Sequence, residues 1–144
     1  MDLTPAPVSP GDLVVTDADR LALATTLARA ALPRSRTLGL TWIDDRDRAS
    51  GVAVPVRGVP EIPSTEDAAR LGMVIASVTE QSAAGGSVVA VLCRPGETTI
   101  GDGDRAWNLA LREQSATHGF RLHGLFVAAG GTVRPLTMDD ALTG

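Results

Sequence analysis

The residues whose types and spacing could do chemistry cluster around the turn Arg94-Pro95-Gly96-Glu97-Thr98-Thr99. The segment Gly101-Asp102-Gly103-Asp104-Arg105 follows and reads as a helix start. A cation beside such a start can hold an anion, because the first helical N–H groups lack intrahelical partners and the macrodipole is positive there. Arg57-Gly58 closes an earlier strand, and in open α/β sheets ligands gather at the carboxyl ends of parallel strands. The candidate ligand-binding residues are therefore Arg57, Arg94, Gly96 and Arg105, with an anion as the ligand class. Against this reading, Asp102 and Asp104 put negative charge where a phosphate would sit, and both explain themselves as helix caps. The glycine pattern also lacks a third glycine and the Gly-Lys-Ser/Thr ending of a phosphate loop.

Other chemistry-bearing residues have plainer readings. Asp44, Asp45 and Asp47 could hold a hard cation, but Arg46 and Arg48 alternate with them as on a solvated hairpin tip. His118 and His123 have no third ligand spaced to make a metal or acid–base site. Cys93 is the single cysteine and lies inside an apolar run, where a free thiol is usually a small buried hydrophobe. No serine sits in a nucleophile elbow. These residues assign no catalytic group, no metal ligand and no cofactor, and the case for an enzyme is thin.

The bulk numbers limit the partners. The chain has 144 residues, the size of one domain. Its net charge of −4 supplies no basic field for a phosphate backbone, so no nucleic acid is expected. No apolar stretch approaches the roughly 20 residues that span a bilayer, and the amino terminus does not read as a signal peptide. The expectation is a soluble cytoplasmic protein with no membrane partner. With only four aromatic residues (Trp42, Trp107, Phe120 and Phe126), its core must be built from Ala, Val and Leu.

The elements that position these groups are organised around Ser87–Cys93, an apolar run bounded by Gly85-Gly86 and Pro95-Gly96. Such a run is what a strand looks like when both its faces are covered. Residues 1–12, with three prolines, read as a flexible N-terminal arm or an extended strap before a single α/β domain over 13–144. Thr16 or Asp17 caps a first helix, with Leu21, Ala24, Leu27, Ala28 and Ala31 at helical spacing and Pro33 at its end. A hairpin follows, with strands over Thr37–Ile43 and Val52–Val56 and a charged tip from Asp44 to Gly51. Pro55 pushes its second strand to a sheet edge. Ser64 opens a second helix, with Ala68, Leu71, Ile75 and Val78 as its buried stripe. A third helix from Asp102 or Asp104 turns Trp107, Ala110 and Leu111 inward and stops at Gly119. Strands over Leu122–Ala129 and Thr132–Leu136 flank the turn Gly130-Gly131, and Thr137–Gly144 forms a last helical turn or frays. The order α-β-β-α-β-α-β-β predicts an α/β fold: a mixed, roughly five-stranded sheet with two β-α-β crossovers. Both crossovers step the same way, so the second and third helices share a face. The first helix covers the other face or joins the same layer.

This order resembles the N-terminal part of the DUF4192 domain proteins, an actinobacterial family of unknown function. The similar points are Leu32-Pro33-Arg34-Ser35-Arg36 leading into a strand, the hairpin TLGLTWID to GVAVPV, the Gly-Gly before SVVAVLCRPG, and the ending LFVAAGGTVRPL. The resemblance covers residues 10–136 and implies a fold and a source but no activity. Two functional readings follow from the residues. One is a non-catalytic assembly or regulatory module, with a homo-oligomer or another protein as partner. The alternative is a small-molecule or anion binding protein, or an enzyme, using the loops at the carboxyl ends of the parallel strands. Arg94→Glu separates them on paper: an assembly module keeps its stability, and an anion binder loses its ligand.

Overall fold

The computed structural model describes residues 9–29 and 36–138. Residues 1–8 of the arm, Ala31 and Pro33 at the end of the first helix, the approach Leu32–Ser35, and residues 139–144 of the last turn lie outside the described residues. The elements are α1 (Asp17–Arg29), β1 (Thr37–Ile43), β2 (Ala49–Arg57), α2 (Thr65–Ser82), β3 (Ser87–Cys93), α3 (Asp102–His118), β4 (Arg121–Ala129) and β5 (Thr132–Pro135).

Every residue of β3 is buried. It lies at the middle of a five-stranded mixed sheet of order β2-β1-β3-β4-β5. β1 runs antiparallel to both β2 and β3, and β3 runs parallel to β4. The strands β2, β3 and β4 therefore point the same way, which makes β2-α2-β3 and β3-α3-β4 the two crossovers. Both step toward β5.

Two apolar clusters flank the sheet. On one face Leu38, Leu40, Trp42, Val88, Ala90, Leu92, Leu125 and Val127 pack against Leu71 and Ile75 of α2 and Trp107 and Leu111 of α3. On the other, Val89, Val91, Cys93, Phe126 and Ala128 pack against Leu23 and Ala24 of α1. α1 thus covers the face opposite to α2 and α3. It approaches closely at Gly39, where an added Cβ would stand 3.0 Å from Leu27 Cγ. On the helical face Trp42 Nε1 donates to Thr79 Oγ1 at 2.7 Å, and that hydroxyl donates on to Ile75 O. A ring nitrogen buried without such an acceptor would cost about 1–3 kcal/mol.

Several local expectations change. In α1 it is Leu23, not Leu21, that is buried with Ala24, and Leu21 is exposed. Two residues along a helix turn the side chain by about 200°, so Leu21 and Leu23 cannot share a face. α1 is capped by a reciprocal pair: Asp19 N–H donates to Thr16 Oγ1, and the Asp19 carboxylate accepts from the Val15 and Thr16 N–H groups. In α3 Asn108 is buried beside Trp107 and Leu111, and Ala110 is only half-buried. In α2 Thr79 is buried and Val78 half-buried.

The hairpin tip is shorter than the sequence suggests, since β2 starts at Ala49 and not at Val52. Asp44 Oδ1 accepts the N–H groups of Arg46 and Arg48, which closes a tight turn and holds the Asp44 carboxyl below its ordinary range. Residues 9–14 strap this tip, with Gly11 N–H donating to Ala49 O, Ala49 N–H to Asp12 O and Val14 N–H to Asp47 O.

β4 starts at Arg121 and carries one extra residue against β3, since Val88 pairs with Leu122 but Val89 with Gly124. The bulge lets Leu122 and Leu125, three residues apart, both pack against the α2–α3 cluster. His123 turns instead toward α1, where it meets Arg20.

Val89 tests the arrangement most directly, because its side chain is fully enclosed under α1. Val89→Asp puts an unpaired charge there, at a cost of several kcal/mol against a total stability of about 5–15 kcal/mol. The variant is expected to be insoluble or to show no cooperative melt by circular dichroism.

Candidate functional site

Parity along the strands decides which sequence-chosen residues can meet. Arg57 pairs with Thr37, and Thr37 with Cys93, so all three share the face of the sheet that α1 covers. Arg94 is one residue beyond Cys93 and turns to the opposite face, toward α3. Arg57 and Arg94 therefore lie on opposite sides of the sheet and do not converge. Arg57 is exposed at the end of the edge strand.

Arg94 is a fastener. Its Nε donates to Asp104 Oδ1 at 2.8 Å and its Nη2 to Asp104 Oδ2 at 2.7 Å. Nη1 donates to the carbonyls of Pro95 and Glu97, and Nη2 also to that of Thr99. A guanidinium has five N–H donors, and these contacts use all of them. The pair is deeply set, with side-chain exposures of 9% for Arg94 and 2% for Asp104. Asp104 also accepts the N–H of Gly101 at 3.0 Å, so it closes the start of α3 from inside the helix. Burial alone would raise the Asp104 carboxyl. The Arg94 and Gly101 hydrogen bonds, with the charges of Arg94 and Arg36, outweigh it and hold the group below its usual value.

Around this pair the charges alternate. Arg36 bonds Glu61 at 3.3 Å, and Arg105 bonds Asp102 at 3.3 Å from within α3. Trp107 Nε1 donates to Pro60 O and pins the β2–α2 connection over the same corner. Of the four candidate residues, Arg94 and Arg105 belong to this corner; Arg94 is fully engaged, whereas Arg105 Nε and Arg36 Nη1 are buried with no acceptor among the described residues.

Gly96 stands beside Arg94, whose Nη1 would lie 3.6 Å from a Cβ added there, and with Arg94 it lines a cleft of about 700 Å³ at the carboxyl ends of β3 and β4, together with Thr25, Ala28, Arg29, Cys93 and the Gly130-Gly131 turn. The walls are mostly small side chains and backbone. Burial pushes the Cys93 thiol up to about 11, so it is not a ready nucleophile.

A second groove, of about 540 Å³, was not visible in the sequence. It runs beside β4 at the opposite end, between Arg20 and Leu21 of α1 and Arg112 of α3, and includes His123, Pro135 and Thr137. Arg20 reaches it by bonding Asp17 and the Val15 carbonyl, and its Nη1 stands 3.0 Å from His123 Nε2. A guanidinium can only donate, so that ring nitrogen accepts and His123 is neutral there. Burial, then the charges of Arg20 and Arg121, lower the His123 pKa, with Asp47 opposing them. His118 is remote from this ring, exposed at the end of α3 and 3.1 Å from Gln114 Oε1. No group of three His, Cys, Asp or Glu side chains among the described residues could hold a metal ion. No helix among them is long and apolar enough to cross a membrane.

No protein-family model matches the chain, and no curated protein matches it.

The expectation that Arg94 can be reversed at no cost to stability does not survive this geometry. Arg94→Met leaves the Asp104 carboxylate buried and unpaired, which should cost about 3–5 kcal/mol in denaturant titration. Adding Asp104→Leu to that variant should recover a large part of the loss.

His123 gives a pH signature. Its folded pKa lies below the unfolded value, so the unfolded chain takes up its proton first as pH falls. The contribution is intact above the unfolded pKa, near the reference of about 6.5, and is lost as pH falls from there toward the folded pKa. Melting temperature should therefore drop between neutral and mildly acid pH, and His123→Gln should flatten that slope.

Proposed function

We propose that this domain is a non-catalytic assembly or regulatory module that works by contact with another polypeptide, either a second copy of itself or a different chain. The observation that carries the reading is the outer side of β4. This strand runs nine residues, while β5 pairs only with Phe126–Ala129. Leu136 N–H donates to Leu125 O and extends the ladder by one bond. Among the described residues, nothing pairs with the outer side of Arg121–Gly124. An unpaired strand edge is a template for another strand. At the far side of the sheet the β2 edge is blunted by Pro55, which cannot donate to a ladder.

The polar groups at the carboxyl ends of β3 and β4 support the same reading from the other side. Arg94 and Asp104, the most enclosed charges there, engage each other and the nearby backbone. The kinship with the DUF4192 domain proteins is part of the proposal and rests on the residue pattern alone. A cytoplasmic setting is also part of the proposal and rests on composition.

The second reading is a small-molecule site in the cleft of about 700 Å³ lined by Gly96 and Arg29. Native mass spectrometry of gently purified protein decides between them. An assembly at bare polypeptide mass, or a monomer that associates with rising concentration, is expected. A reproducible extra mass, lost when Ala28→Trp fills the cleft, would move the function there.

A further inference from the structure

Independently of the assembly reading, we infer that the contact between Arg20 and His123 is a pH-operated latch: when His123 takes up a proton, the start of α1 lifts from β4 while the sheet stays folded. The chain between Val14 and Leu23 is suited to this. Both of those residues are buried, but none from Val15 to Ala22 is, and Leu21 is exposed. Val14 is held on its own account, with its N–H bonded to Asp47 O and its side chain in the apolar cluster of that face. The apolar hold of α1 begins only at Leu23 and Ala24. A stretch with few buried apolar contacts between two anchors is the kind that opens locally.

Arg20 ties that stretch down. Its stem crosses the β4 bulge, where a Cβ added at Gly124 would stand 3.8 Å from Arg20 Cδ. Its Nη1 donates to His123 Nε2 at 3.0 Å and to the Val15 carbonyl at 3.0 Å, and its Nη2 donates to Asp17. Both N–H groups of Nη1 are thereby used, and the bond to β4 exists only while Nε2 offers a lone pair. A protonated ring carries N–H on both nitrogens, so donor would face donor and cation would face cation. Arg20 cannot give up its own charge to relieve this, and the contact breaks.

The charges around the ring set the direction. From α1 it meets Arg20, with Asp17 already bonded to that guanidinium; from its own strand, Arg121; from the hairpin tip, Asp47. Arg112 of α3 lines the same groove and is engaged by Asn108 and the Leu136 carbonyl. Burial, then the charges of Arg20 and Arg121, lower the His123 pKa in the closed form, against Asp47. The opened ring returns toward the ordinary value of about 6.5, so it holds a proton more tightly than the closed one. Opening is therefore suppressed above that value and grows as pH falls from it toward the closed-form pKa.

The test is hydrogen exchange on the whole chain at about pH 7.5 and about pH 5.5, on either side of the ordinary histidine range, with rates corrected for their intrinsic pH dependence. Once off the sheet, a turn or two of helix does not hold its own hydrogen bonds. Amides of Asp19–Ala22 should therefore lose protection about tenfold at the lower pH, the scale of a lost hydrogen bond to a charged group, while Val88–Leu92 of β3 keep theirs. His123→Gln keeps an acceptor and takes up no proton, so it should stay closed at both pH values. His123→Lys is a cation at both and should be open at both, with β3 still protected. Arg20→Gln removes the opposing cation and should abolish the pH dependence. Unchanged protection of Asp19–Ala22 in the parent protein, a pH effect that persists in His123→Gln, or an equal loss in β3 overturns the inference.

Discussion

A strand buried on both faces imposes its needs on everything around it. β3 has no polar side to show to water, so the chain must supply covering layers above and below it. α2 and α3 supply one through the two crossovers. The other comes from α1, which precedes the whole sheet and packs Leu23, Ala24, Leu27 and Ala28 onto it. The missing side chain of Gly39 lets Leu27 come close. The few aromatic rings are all buried in the core, and aliphatic side chains fill the rest of it.

Much of this was legible in the sequence because it depends on local signals. The apolar run of β3, the Gly130-Gly131 turn, the Ser64 cap and the edge-marking Pro55 each announce themselves within a few residues. The element order and the mixed five-stranded sheet follow from them. What was not legible depends on distance or on single steps of register. Arg94 and Asp104 are ten positions apart across an irregular loop, and nothing in either residue says which partner it takes. The side of the sheet that Arg57 faces depends on a register through β1, so grouping it with Arg94 by chain order mixed two faces. The extra residue at His123 changes which later side chains point inward, and a bulge has no dependable sequence mark. The groove at Arg20 and Arg112 joins residues from α1, α3 and β4, and no one window contains them.

The electrostatics divide the molecule into two ends. At the carboxyl ends of β3 and β4, opposite charges are interleaved: Arg94 with Asp104, Arg36 with Glu61, Arg105 with Asp102, while Arg36 Nη1 and Arg105 Nε stay buried with no acceptor among the described residues. Such a corner fixes the start of α3 and the loop before it, and its field is short-ranged because the charges cancel locally. At the other end Arg20 bonds Asp17 and stands against His123, Arg112 bonds Asn108 and the Leu136 carbonyl, and Arg121 is exposed.

The thiol of Cys93 turns the covering of β3 into something that can be timed. At a pKa of about 11, roughly one molecule in ten thousand carries a thiolate at neutral pH in the closed protein. The sulfur is nearly enclosed, beneath the layer that α1 forms. Cys93 also lines the cleft at the carboxyl ends of β3 and β4, so a thiol reagent reads both access through that cleft and the lifting of the layer above it. Because the chain has one cysteine, the modification rate reports on this one place, with no label to introduce and no second signal to subtract.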